Sequence, residues 1–490
     1  MSDPQADLLI VGSGIAGLSA TVTALQAGLR TITLERSTED QFGGNTRWTE
    51  AYMRMKNDSE VSDDFEMAFA ENAGANLDPN VIVEAGGAYE DWPAYVKAHP
   101  FPDPELIGRF AERAPLTIGW LKEFGLKFGP QPIYLLTQNT TRIAAQGGGL
   151  ALIERLRDEA IALKGDLRYR TTAVGLLRAA DGTVEGVIAV GPDGKRVEIR
   201  ARATIFASGG FQGNSEMMAR YMGTIAANIR PVAIGGYQNK GEGIRLMLEA
   251  GAAPSGDFAS YHAEPVDPRS QQPEAVVHIW PYGILINKRG ERFLDEAPRT
   301  VDACYDPISR AIAHEPDGIC WVLFDAQTEE IEGWRRAIRS DIPPYEANSI
   351  EELAAKLELP VEAVTKTVAD FNAACPTEGE FKPFEIDHLA TRGLTPRKSN
   401  WARPIVKAPF RSYPIIPANC FTFGGVKVNA DAQVLDCDGK PIPGLYAAGE
   451  TMGIYHQVYA GSTSVMRGAT FGRIAAQHVV AQHNGATIDA

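Results

Sequence analysis

ADLLIVGSGIAGLSATVTALQAGLRTITLE, residues 6–35, decides the fold. ADLLIV (6–11), apolar but for Asp7 and ended by glycine, has the pattern of a parallel strand buried on both faces. LSATVTALQAG reads as a helix, and TITLE (31–35) as a second strand. Gly12, Gly14 and Gly17 stand between strand and helix at G-x-G-x-x-G spacing. Glycine there serves a tight turn, close approach of backbone to a pyrophosphate, and tight packing of helix on strand. The helix start, Ile15-Ala16, offers its free N–H groups to phosphate charge. Glu35, followed by Arg36, ends the second strand where a carboxylate accepts ribose hydroxyls. The motif alone is weak evidence; strand, helix and acid in register make it a dinucleotide-binding unit.

Two later segments repeat the strand-into-glycine pattern: RATIFASGGFQGN (202–214) and KPIPGLYAAGE (440–450), the latter followed by the helix-like GATFGRIAAQHVVAQ. We therefore expect an α/β fold with a discontinuous Rossmann-like domain (1–235 and 400–490) and an inserted α+β cap (236–399). With no second G-x-G-x-x-G in mid-chain, a separate nicotinamide-binding domain is not expected.

The bulk properties narrow the function. At 490 residues the chain exceeds one ordinary core. Lys and Arg total 47 against 62 Asp and Glu, a net charge of −15 that argues against nucleic acid as a partner. The five cysteines are scattered without C-x-x-C, which fits a reducing compartment and predicts no metal centre. No apolar run is long enough to span a bilayer, and MSDPQADLLIVG lacks a basic leader, so a soluble, cytoplasmic protein is expected.

GSGIAG with Glu35, GGNTR (43–47), ASGGF (207–211), KGEGI (240–244), TFGGV (422–426) and GLYAAGE (444–450) resemble, in order and over almost the whole chain, the fumarate reductase/succinate dehydrogenase flavoprotein family. The resemblance implies an FAD domain of the glutathione-reductase type, a mobile cap, and hydride exchange between flavin N5 and a C–C/C=C pair. It extends the FAD contacts to Gly43, Gly44, Asn45, Thr46, Gly148, Gly149, Ala173, Val174, Ala207, Ser208, Gly209, Gly210, Gly243, Gly449, Glu450, Ser464 and Val465. Asn45, Thr46 and Arg47 offer no histidine where the respiratory enzymes attach flavin covalently, so FAD is expected to be non-covalent. Arg54, QGGGLAL (146–152) and HQVYAGST (456–463) look most like the tricarballylate dehydrogenase branch.

That family also implies catalytic positions. Its proton-transferring arginine lies in R-F-x-N-E-x-x-x-R, which ERFLDEAPRT matches with Arg292, Glu296 and Arg299 as the candidate; an ion pair of Arg299 with Asp295 or Glu296 is the alternative. His262, in SYHAEPV, falls where a substrate-binding histidine is expected. The family's relay glutamate and arginine are replaced by Ala275 and His278, with Glu274 one residue early; His278 is a candidate to relay the proton with Arg299, and Cys420-Phe421 stand where a histidine is expected. In GETMGIYHQVYAGSTSVMRG (449–468), Ala460 replaces the arginine that clamps a dicarboxylate, leaving Tyr455, His456 and Tyr459 to bind or polarise substrate, or to pack under the flavin. Arg142, Arg47, Arg54 and Arg467 are further candidates for an anionic substrate. The expected activity is desaturation of a carbon pair beside a carboxylate, as in tricarballylate dehydrogenase, with electrons leaving to a quinone or membrane redox partner. A desaturase of cyclic ketones and an enoate reductase are the alternatives.

Overall fold

The structure, a computed structural model, describes residues 5–70, 87–130 and 142–485. Its first sheet grows around the N-terminal strand. Ala6–Val11, buried throughout, pairs in parallel with Thr31–Leu34 and with Arg196–Phe206, placing Leu8 opposite both Thr31 and Ala203. Asp166–Arg168 extends one edge, and Pro441–Ala447 with Gln433–Leu435 the other. Thr172–Arg178 and Val184–Val190 form an antiparallel meander on the long strand Arg196–Phe206. The carboxyl ends of Ala6–Val11, Arg196–Phe206 and Pro441–Ala447 carry the three glycine turns read from the sequence, so the turns converge on one edge of the sheet, where open α/β sheets bind ligands.

The helices Ile15–Gln26 and Ser464–His483 pack against each other because Gly468 and Gly472 face Ile15 and Ala16, where a side chain would strike the first turn of the partner. The terminal helix is thereby fixed with its N-terminus beside the glycine turn of Gly12–Gly14.

A second sheet is organised by the strand Phe410–Thr422. Tyr261–Val266, Cys320–Phe324 and Tyr345–Ala347 pair with it antiparallel, and Arg230–Pro231 in parallel. Ile284–Asn287 completes it beyond Cys320–Phe324. Helix Val301–Ile312 lies over Tyr261–Val266, with a core of Val277, Trp280, Leu285, Ile308 and Val322. Strand Phe410–Thr422, in the stretch assigned from sequence to the returning dinucleotide domain, thus pairs with strands from the stretch assigned to the cap. The α/β class and the Rossmann-like sheet are as expected. Among the described residues no helix is long and apolar enough to cross a membrane.

Candidate active site

The glycine turn builds one end of a long cavity. Gly12 has φ +108°, and a Cβ there would run into the carbonyl of Ala207, so neighbouring strands hand the chain over with no room for a side chain. The Ile15 N–H is held by Thr46 Oγ1 at 3.2 Å, which ties the segment 43–48 to the helix start. Glu35, buried at the end of its strand, accepts from Ser13 N–H (3.1 Å) and the Ser13 hydroxyl on one oxygen, and from Ser37 N–H and Oγ (both 2.7 Å) on the other. Arg36 also lines the cavity, ion-paired with Glu242 at 2.7 Å.

From there the cavity passes Gly44, Asn45, Ala173, Ala207, Ser208, Gly209 and Gly243 to Gly449, Glu450, Ser464 and Val465. Gly17, Gly43, Gly148, Gly149, Val174 and Gly210 do not line it; Gly149 lies against the Thr46 carbonyl and Gly210 against the Glu450 carboxylate, so they hold the wall from behind. Glu450 joins three segments: it accepts from Thr422 N–H (2.9 Å), Asn239 Nδ2 (3.0 Å) and Gln212 Nε2 (3.4 Å). A glycine turn without side chains, a buried acid at the end of the second strand and a helix N-terminus line one cavity and fit FAD, with negative charge received at the helix start.

At the cap end the cavity wall changes to aromatic and titratable groups. His262, 6% exposed on strand Tyr261–Val266, lies 2.9 Å through Nε2 from the Tyr305 hydroxyl. Its ring sits 4.4 Å from the Tyr459 ring and 5.2 Å from that of Phe421. Burial, then Arg310 and Arg142, push His262 down to about 3, so its imidazole is neutral. Glu264, two residues on and therefore on the same strand face, is raised well above the usual carboxylate range by burial and by Asp306. Glu274 is pushed up to about 8 by burial and by Glu50 and Glu264. Arg142 lines the cavity and is ion-paired with Asp302 at 2.6 Å. His262, Glu264 and Cys420 each bring one potential ligand atom within 4.8 Å of the others. With Glu264 protonated and the Cys420 thiol pushed up by burial, the set suits proton handling better than cation binding.

Several expected residues lie elsewhere. Arg299 is exposed on the loop before helix Val301–Ile312 and does not line the cavity. Its proposed partners are taken, Glu296 by Arg292 at 2.6 Å and Asp295 by Ser399 N–H at 3.0 Å. Counted from Arg292, the full family spacing falls on Thr300, not Arg299. Tyr455 is core: its hydroxyl meets Thr463 Oγ1 at 2.7 Å, its ring stacks on Phe69, and Arg467 lies over it at 4.6 Å. His456 is buried away from the cavity. Arg54 pairs with Asp64 at 2.6 Å and holds the Gly461 carbonyl at 3.1 Å, and Arg47 lies near Phe42 and Trp48. His278, fully buried, stands behind the wall, 3.3 Å from Glu264. Tyr459 lines the cavity, but its hydroxyl accepts the N–H groups of Thr463 (2.9 Å) and Ser464 (3.0 Å). Sequence reading missed Tyr305, Glu264 and Asp302. Strand alternation from His262 points to Glu264, and helical spacing places Asp302 and Tyr305 on one face.

A family model described as "FAD binding domain" matches residues 7–465. The vinyl phenol reductase of Lactiplantibacillus plantarum is 26% identical over 473 residues, covering 90% of this chain and 89% of that protein. The NADH:acrylate oxidoreductase of Vibrio harveyi is 27% identical, covering 96% of this chain and 50% of that protein, so the chain spans about half of that relative's length. The open conformation of a flavocytochrome c3 fumarate reductase superposes with a TM-score of 0.70 at 23% identity, covering 97% of this chain and 78% of that one, a likeness of fold.

Proposed function

The chain belongs to the FAD binding domain family, and from that premise we propose that it is an FAD-dependent oxidoreductase reducing the C=C bond of a small conjugated substrate with at most one carboxylate. Bound FAD supplies hydride exchange at flavin N5. The turn Gly12–Gly14 would hold its pyrophosphate, Glu35 its ribose hydroxyls, and the start of helix Ser464–His483 its ring.

The observation that carries the reading is the Tyr305 hydroxyl 2.9 Å from the neutral His262 on the wall of that same cavity. A phenol hydrogen-bonded to a neutral imidazole can give a proton to carbon and recover it. The rings of Tyr459, Phe421 and His262 offer a stacking surface to a planar conjugated group. The names of both relatives favour reduction; the desaturation expected from sequence is the same exchange run backwards. Electrons reach FAD from an external donor in this reading.

A tricarballylate-like polyanion has less support. Arg142 is engaged with Asp302, and Glu50, Glu264 and Glu274 gather at the same end of the cavity. A ketone polarised by Tyr459 has less support too, because that hydroxyl is held at the helix N-terminus.

The test is anaerobic: FAD-loaded protein is reduced with dithionite, and acrylate, 4-vinylphenol or fumarate is added while the flavin absorbance is followed. Reoxidation by acrylate or 4-vinylphenol is expected. Bleaching of oxidised flavin by tricarballylate, with no response to those alkenes, would overturn the reading.

A further inference from the structure

Backbone register places Glu264 beside His278. Val266 bridges Val276, and Val277 N–H reaches the Pro265 carbonyl at 2.9 Å, which leaves residue 264 across from residue 278. One Glu264 oxygen lies 3.3 Å from His278 Nε2 and the other 3.9 Å from His262 Nε2. The acid therefore sits between an imidazole on the cavity wall and one with no exposed surface. Nearby, Glu274 lies 3.7 Å from Arg339, which pairs with Glu50 at 2.7 Å. Those three side chains, 18%, 30% and 32% exposed, form the solvent end of the cluster.

Building on the reading above, we propose that Glu264 is the proton store that reloads the His262–Tyr305 pair, with His278 as the residue that positions it. A group hands protons on only if it can both donate and accept; a neutral carboxylic acid and a neutral imidazole can, whereas a carboxylate or a guanidinium cannot. The environment keeps these groups neutral. Burial acts most strongly on Glu264, Asp306 adds to it, and Arg339 and Arg142 oppose it. The charged and titratable groups facing this cluster are His262, His278, Asp306 with Arg310, Arg142 with Asp302, Cys420, and the Glu274–Arg339–Glu50 set.

The transfer balances without a further reagent. The Tyr305 O–H bond breaks as a C–H bond forms on the substrate. The Glu264 O–H bond then breaks as an N–H bond forms at His262 Nε2, while Nδ1 keeps its own hydrogen. That Nε2–H bond breaks as the tyrosine O–H re-forms. The substrate has gained one proton, Glu264 is left as a carboxylate, and solvent reprotonates it through Glu274. No electrons move in these steps. At 3.9 Å the gap to His262 exceeds a direct hydrogen bond, so a small side-chain shift or one bridging water completes it.

The experiment uses the full-length FAD-loaded protein and its Glu264→Gln, Glu264→Asp, Glu274→Gln and His278→Gln variants. Infrared spectra between pH 5 and 9 report the store without any substrate. The wild type minus Glu264→Gln difference spectrum should show a protonated-carboxyl band at pH 7, distinct from the share that Glu274→Gln removes, and His278→Gln should shift that band in pH. Absence of that difference band overturns the proposal. With 4-vinylphenol and acrylate as probes, Glu264→Gln should lose about ten- to a hundredfold in turnover with KM held within about twofold. Its solvent deuterium isotope effect should rise, and Glu264→Asp should recover part of the loss. Unchanged turnover and isotope effect in Glu264→Gln would also overturn the store. If the wild type shows the band but turns over neither probe, the store is supported and the substrate reading fails.

Discussion

Arg142 and Asp302 meet at 2.6 Å with side chains 8% and 6% exposed, tying the segment before strand Ile143–Ala145 to the start of helix Val301–Ile312. The aspartate neutralises a cation on the cavity wall, which is the physical basis for expecting a substrate poor in negative charge. Asp302→Asn removes the Asp302 charge from that cation. The KM for acrylate should then fall about fivefold relative to 4-vinylphenol, and breaking a buried pair should cost about 3 kcal/mol in urea unfolding. An unchanged ratio of the two KM values would show that Arg142 does not face the substrate.

Gly12→Ala tests the cradle. Its positive φ and the Ala207 carbonyl at the Cβ position leave the new methyl no space, so the turn must open. The purified variant should carry little FAD, read as the ratio of flavin to protein absorbance, and melt several degrees lower. Full FAD occupancy would mean that this turn does not hold the cofactor.

The cradle was legible in the sequence because its constraints are local. A glycine turn between a strand and a helix, followed by an acid at the end of the next strand, is written in 30 contiguous residues, 6–35. The proton-handling end is built instead from side chains far apart in the chain: His262 on a strand paired with Phe410–Thr422, Tyr305 on helix Val301–Ile312, Tyr459 before the terminal helix, and His278 meet only in the folded chain. The Arg299 assignment rested on a motif in a loop, where no period fixes the direction of a side chain, and the chain points it to solvent. Of the candidates in GIYHQVYAG, Tyr459 lines the cavity, while Tyr455 and His456 are buried away from it.

Stability should depend on pH through the same cluster, with opposite signs in two windows. Glu274, raised from 4.5 to about 8, binds its proton in the folded state more tightly than in the unfolded chain. Its contribution is full below 4.5 and is lost as pH rises through 8, at a slope of up to about 1.4 kcal/mol per pH unit. His262 and His278, lowered from 6.5 to about 3, act the other way: their contribution is present above 6.5 and is lost as pH falls toward 3. Urea unfolding across pH 4 to 9 should show Glu274→Gln flattening the alkaline fall and His278→Gln softening the acid one. Parallel curves for wild type and both variants would refute these protonation states.

Tyr459→Phe separates two uses of one hydroxyl. In the structure that oxygen accepts from Thr463 and Ser464 N–H and lies 3.1 Å from Ser464 Oγ, so it caps helix Ser464–His483 in the manner of a side-chain N-cap. Removing it should cost about 1 kcal/mol of stability, in line with other helix caps. Because the same helix start faces the cavity through Ser464 and Val465, its freed N–H groups should shift the flavin absorbance slightly. The phenyl ring still stacks beside His262, so turnover of 4-vinylphenol should stay within about threefold of wild type. A loss of a hundredfold or more, with the melting temperature unchanged, would instead make Tyr459 the hydroxyl that acts on the substrate, in place of Tyr305 as proton donor.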